Sequence, residues 1–123
     1  MKYVIGILLG LSGVANAHEM VPAYPTMKPS YISGVSVTSM KLFNRRDDVR
    51  YYEIGVFTSE WKPIAFASEE KIIKLEYLGK KTFEVYIRNS DLDDATYICT
   101  LSKLEKDNVR TTGVSSKICS KIK

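Results

Sequence analysis

Histidine is the side chain best suited to moving protons near neutral pH, and this chain of 123 residues has one, His18. Catalysis by a Ser-His-Asp or Cys-His arrangement needs an imidazole set among its partners in the interior. His18 instead follows Ala15-Asn16-Ala17, a small-residue cleavage signal that would leave it as the first residue of a processed chain. Paired carboxylates occur at Asp47-Asp48, Glu69-Glu70 and Asp93-Asp94, but adjacent acids in polar turns read as solvated loop residues, not as an acid and a base flanking a bond. There is no glycine-rich phosphate loop. The sequence therefore predicts no catalytic residues, no cofactor and no metal centre.

The remaining chemistry belongs to the two cysteines, Cys99 and Cys119. Their spacing fits neither a CxxC redox pair nor a zinc set. Each sits in a short run rich in β-formers and free of Gly and Pro, Asp93 to Leu101 and Ser116 to Ile122, so the runs read as antiparallel strands with the polar segment Ser102 to Ser115 turning between them. A Cys99–Cys119 disulfide would join neighbouring strands. Closing a loop of about 20 residues contributes about 3 kcal/mol in the chain-entropy model. Two free buried thiols are the alternative, the one expected in a reducing compartment.

The compartment is indicated by the first residues. Met1-Lys2 is a short positive start, Tyr3 to Val14 is mostly apolar and uncharged, and the A-x-A signal follows, so residues 1–17 read as a secretory signal peptide and 18–123 as one mature domain. The apolar run is short for a membrane span and leads into polar sequence, so no permanent membrane anchor is expected. A periplasmic or secreted location follows. Lysine and arginine number 18 against 14 acids, a net charge of +4 that falls by one when Lys2 leaves with the leader. Acidic clusters break the lysines into no continuous stripe, which argues against nucleic-acid binding.

Along the mature chain, His18 to Pro25 holds two prolines in four residues and suits an edge strand or an extended arm. Val35 to Phe43 alternates at period two, with its apolar set moving from odd to even positions between Val37 and Met40, which predicts a bulge or a strand that changes neighbours. Asn44 to Asp48 reads as a polar turn. Val49 to Thr58 places Tyr52, Ile54 and Val56 on one face, Trp61-Lys62-Pro63 interrupts, Ile72 to Leu78 forms a further strand, and Thr82 to Ile87 places Phe83, Val85 and Ile87 together. With no helical periodicity, about seven strands at roughly 8 to 12 residue intervals predict an all-β sandwich of antiparallel strands, which the resemblances below imply is immunoglobulin-like.

Two resemblances sharpen this reading. Asp93-Asp94-Ala95-Thr96-Tyr97-Ile98-Cys99 resembles the D-x-A-x-Y-x-C run opening strand F of immunoglobulin variable domains, which implies a corner hydrogen bond from Tyr97; here no cysteine lies upstream. Over nearly the whole mature chain the sequence resembles the first, immunoglobulin-like domain of the periplasmic pilus-assembly chaperones. That likeness rests on the proline-bearing start, the Val35 to Phe43 strand ending in Asn44, and Leu75-Glu76-Tyr77-Leu78-Gly79-Lys80-Lys81-Thr82-Phe83-Glu84-Val85, which is similar to the family's Leu-x-x-Pro-Gly turn and following strand, with Leu78 where proline is expected. The resemblance implies a one-domain relative that engages a protein partner by β-strand addition along its last strand. It also implies a client carboxylate anchored by cations, for which Lys28, Lys117 and Lys121 are the candidates; one subclass joins strands F and G by a disulfide.

Directly opposed cysteines would put Tyr97 and Leu101 on the disulfide face and Ile118, Ser120 and Ile122 on the other. If Tyr97 and Leu101 pack inward, Ile118 and Ile122 point outward and join Lys117 and Lys121 as a partner-binding edge; in the alternative, Ile118 and Ile122 are core. Two other functions compete with the chaperone-like module. An adhesive or structural accessory protein could present Trp61, Tyr51 and Tyr86 as an aromatic platform for glycans. A copper carrier is the third: a mature amino-terminal His resembles that of exported immunoglobulin-like copper families, with Met20, Met27 and Met40 as thioether ligands, although those families use at least one further histidine.

Overall fold

A computed structural model describes residues 18–103 and 115–123; the expected signal peptide and most of the Ser102 to Ser115 turn lie outside the described residues. Eight strands form two antiparallel sheets facing one core: β1 (Glu19–Val21), β2 (Lys28–Pro29), β3 (Val35–Phe43), β4 (Tyr51–Phe57), β5 (Ile72–Lys74), β6 (Lys80–Arg88), β7 (Tyr97–Lys103) and β8 (Lys117–Lys121). In the first sheet β1 and β2 share one edge of β3 and β6 pairs with the other. The second runs β5-β4-β7-β8. A single 3-10 turn, Asn89–Asp91, precedes β7. Among the described residues no helix is long and apolar enough to cross a membrane.

The period-two pattern builds the core directly. Tyr52, Ile54 and Val56 of β4, Phe83, Val85 and Ile87 of β6, and Ile73 of β5 all point between the sheets and are buried. β3 departs from expectation, because it runs unbroken through nine pairs with β6 and has no bulge. Its inward residues are even-numbered throughout, so Ser36 and Thr38 are buried while Val35 and Val37 face outward. Met40 and Leu42 set that register by meeting the core, and Ser36 Oγ is satisfied by Asn89 Oδ1 at 2.6 Å.

Asn44 is no solvated turn residue. Fully buried, its Nδ2 donates to the carbonyls of Val49 and Leu75, both at 2.8 Å, while its Oδ1 accepts from the Arg46 N–H and the Tyr52 hydroxyl. One side chain thereby ties the end of β3 to the start of β4 and the end of β5. The neighbouring turn explains Leu78: its φ of 65° is closed to proline, so this chain does not form the Pro-Gly turn of the resembled family. Leu78 N donates to the Asn44 carbonyl at 2.7 Å, holding that conformation.

Candidate partner-binding edge

The last strand is positioned by two devices, one covalent and one made of backbone hydrogen bonds. Cys99 and Cys119 are bonded as expected and lie directly opposite each other in the β7–β8 register, with Cα atoms 4.0 Å apart. Ser102 N donates to Ser116 O and Ile122 N to Thr96 O, so Ile118, Ser120 and Ile122 turn their peptide groups toward β7. Lys117, Cys119 and Lys121 turn theirs outward. Part of that outer edge is covered by the amino-terminal arm: after the cis Val21–Pro22 bond the chain crosses between sheets, and Lys121 N and Lys123 N donate to Ala23 O and Pro25 O at 3.0 and 2.8 Å. Among the described strands β8 pairs with β7 alone, so the outward peptide groups of Lys117 and Cys119 join no second sheet ladder. β8 is thus an edge strand with a capped carboxyl half and an open amino half.

Side-chain faces follow the second of the two arrangements left open by the sequence. Ile98, Thr100 and Ser102 of β7 face the core, and Ile118 and Ile122, half-buried, pack against it. The outward placement of Ile118 and Ile122 as partner-contacting residues is therefore corrected; a disulfide within one sheet lies on the outer face here, which sends its odd-numbered neighbours outward and the even-numbered ones in. Lys117 and Lys121 are exposed on the outer face. Lys28 lies in the other sheet, beside β3, and the structure does not bring it together with either lysine.

An aromatic pair borders the outer face of β7. Tyr97 makes no corner hydrogen bond among the described residues; its ring lies parallel to Trp61, with centres 4.4 Å apart and planes 5° from each other. Trp61, 47% exposed, holds a φ of 67°, and this left-handed backbone is fixed by Thr58, whose Oγ1 accepts from Glu60 N and Lys62 N. Lys117 Nζ sits 4.5 Å from the Trp61 ring centre. Tyr51 shares this outer face, but Tyr86 is on the opposite sheet beside Tyr31, so Trp61, Tyr51 and Tyr86 form no common platform.

His18 is equally far from expectation. It is 1% exposed, its ring 4.6 Å from that of Tyr52. Nε2 lies 3.0 Å from Thr100 Oγ1 and 3.3 Å from the Thr100 carbonyl, and Nδ1 lies 3.0 Å from Ser116 Oγ. A proton on Nε2 serves Thr100, leaving Nδ1 to accept from Ser116. Both nitrogens are taken, so His18 is not free to chelate copper; Met20 and Met40 are likewise core residues, and no metal-binding cluster of His, Cys, Asp and Glu occurs among the described residues. Burial, with the Arg46 charge adding to it, lowers the His18 pKa to about 4 against the hydrogen bond to Thr100, and burial raises that of Tyr52 to about 12. Arg46 itself pairs with both carboxylate oxygens of Asp48, at 2.9 and 2.7 Å. This buried polar end of the sandwich seats the start of β1 and hence the arm that caps β8.

Solved structures share this architecture. The chain superposes on the Escherichia coli chaperone DraB with a TM-score of 0.65 at 14% identity, covering 85% of this chain and 52% of DraB. For the periplasmic chaperone SfaE the TM-score is 0.54 at 11% identity, over 85% of this chain and 55% of SfaE. For PapD-like domain 7 of human CEP192 it is 0.53 at 9% identity, over 88% and 83%. No family model and no curated protein matches the sequence. The fold is therefore the PapD-like immunoglobulin sandwich, and the chain spans about half the length of the two chaperones.

Proposed function

We propose that this PapD-like sandwich is an exported, non-catalytic binding module that captures a protein partner by accepting or donating a β-strand along the open half of β8. The observation that carries this reading is the pair of outward peptide groups at Lys117 and Cys119, which join no second ladder among the described strands, on a strand tied to β7 by the Cys99–Cys119 bond. A preformed edge loses little entropy when a second strand pairs with it, and its hydrogen bonds are indifferent to the partner's sequence. Lys117 and Lys121 flank that edge and favour a partner with acidic residues nearby. The apolar run and A-x-A signal of residues 1–17, read as a leader, and the disulfide support a periplasmic or secreted location.

The decisive substitution is Lys117→Pro. Residue 117 directs its N–H away from β7, so proline there removes a donor from the open edge and leaves the β7–β8 ladder intact. In a pull-down from the exported fraction, the unaltered chain is expected to retain a stoichiometric β-rich partner that Lys117→Pro loses at an unchanged unfolding midpoint. Retention of the partner by a folded Lys117→Pro chain would overturn strand addition at β8. Mass spectrometry of the same sample tests export: the chain is expected to begin at His18.

A further inference from the structure

The outer face of the β5-β4-β7-β8 sheet carries a recess that strand addition does not use. The register lays out its floor as a row, Gly55 beside Cys99 beside Cys119, flanked on one side by Glu53, Leu101 and Lys117 and on the other by Phe57, Tyr97 and Lys121. At Gly55 there is no side chain, and the Phe57 ring leans over the gap: a Cβ built on Gly55 would stand 2.7 Å from that ring. That ring occupies the space above Gly55; the hollow beside it has a volume of about 320 Å³ and is lined by Phe57, Phe66, Cys99, Leu101 and Lys117. That is the size of a small-ligand site.

Its charge is unbalanced. Lys117 Nζ is drawn along the sheet until it lies 4.5 Å from the Trp61 ring centre and 6.0 Å from that of Phe57, and it has no carboxylate partner among the described residues. A second ammonium, Lys71 Nζ, stands 4.9 Å from the ring centre of Phe66. Glu53, the acid lining the hollow, is neutralised by Lys103 at 3.1 Å. The aromatic rings attract the Lys117 ammonium, but they supply no full negative charge.

We propose that this recess binds a small amphipathic anion of the medium-chain carboxylate class, its headgroup on Lys117 Nζ and its apolar body over Cys99 between Phe57, Phe66 and Leu101. The body removes apolar wall from water, and the carboxylate completes a charge-assisted hydrogen bond. A neutral or cationic amphiphile of the same shape gains only the first of these. The site shares Lys117 with the proposed partner edge but uses side chains on the sheet face, not the peptide groups with which a second strand would pair.

Trp61 is the one tryptophan of the chain and borders the site, so its fluorescence reports binding. The oxidised protein from the exported fraction is titrated with octanoate and with octanol, and calorimetry checks the affinities. Octanoate is expected to saturate, with octanol at least about tenfold weaker, and Lys117→Gln is expected to bring octanoate down to the level of octanol at an unchanged unfolding midpoint. Gly55→Val should push the Phe57 ring out of its place into the hollow and abolish binding of both; should that variant fail to fold, Leu101→Glu places a carboxylate in the wall and should exclude octanoate. Absence of saturable octanoate binding, equal affinity for octanol, or unchanged affinity in Lys117→Gln would each overturn the site.

Discussion

Replacing His18 by glutamine should remove a specific acid sensitivity from the fold. In the folded chain His18 is neutral, with a pKa of about 4 against an ordinary value of 6.5. The unfolded chain therefore binds the proton first as pH falls, so the stability that His18 contributes is present at pH 7 and is lost between 6.5 and 4. A gap of about 2.5 pKa units at 1.36 kcal/mol each makes the loss about 2 kcal/mol by pH 5 and about 3 kcal/mol by pH 4. The hydrogen bonds do not forbid protonation, since Ser116 Oγ can turn from donor to acceptor; burial does, helped by the Arg46 charge. The other groups facing the ring are Tyr52 and Thr100, and Asp48 partly offsets Arg46 from one side. The assay is urea unfolding of both proteins, disulfide intact, at several pH values. Glutamine cannot titrate in this range, so the difference between the two stabilities should shrink by about 3 kcal/mol from pH 7 to pH 4, whatever constant cost the substitution carries. Parallel pH profiles, or a His18 ring resonance titrating near 6.5 in the folded protein, would refute the argument.

At the alkaline end Tyr52, raised to about 12, remains protonated in the folded state after the unfolded chain has ionised, so stability should fall as pH rises from 10 toward 12, and Tyr52→Phe should abolish that part of the slope. Asn44→Ala leaves two carbonyls and a buried hydroxyl without their partner and should cost about 3 kcal/mol or more in chemical denaturation. Ile118→Ser should destabilise by about 1–2 kcal/mol, because the side chain packs on the core; an unchanged stability would return Ile118 to the outer surface. Replacing both cysteines by alanine should cost about 3 kcal/mol and increase hydrogen exchange in β8 before the rest of the sandwich.

The all-β sandwich, its inward residues on β4 and β6 and the Cys99–Cys119 pairing could all be read from the sequence, because period-two alternation and a cysteine pair are local signals with few structural solutions. The β3 parity was misread for a related reason. Val35 and Val37 are as apolar as Met40 and Leu42, and the choice between odd and even faces was made by where the nine-pair register with β6 placed each side chain. The same holds for Ile118 and Ile122, whose direction depends on which face of the sheet the disulfide occupies. His18 and Asn44 gave no sign of burial, since polar residues enter a core only where distant groups satisfy them, and Thr100, Ser116, Val49 and Leu75 are brought there by the packing of the two sheets. Local chain chemistry determined which elements form; only their assembly decided which half of β8 is capped by Ala23 and Pro25 and which is left open, because those hydrogen bonds join residues nearly a hundred positions apart.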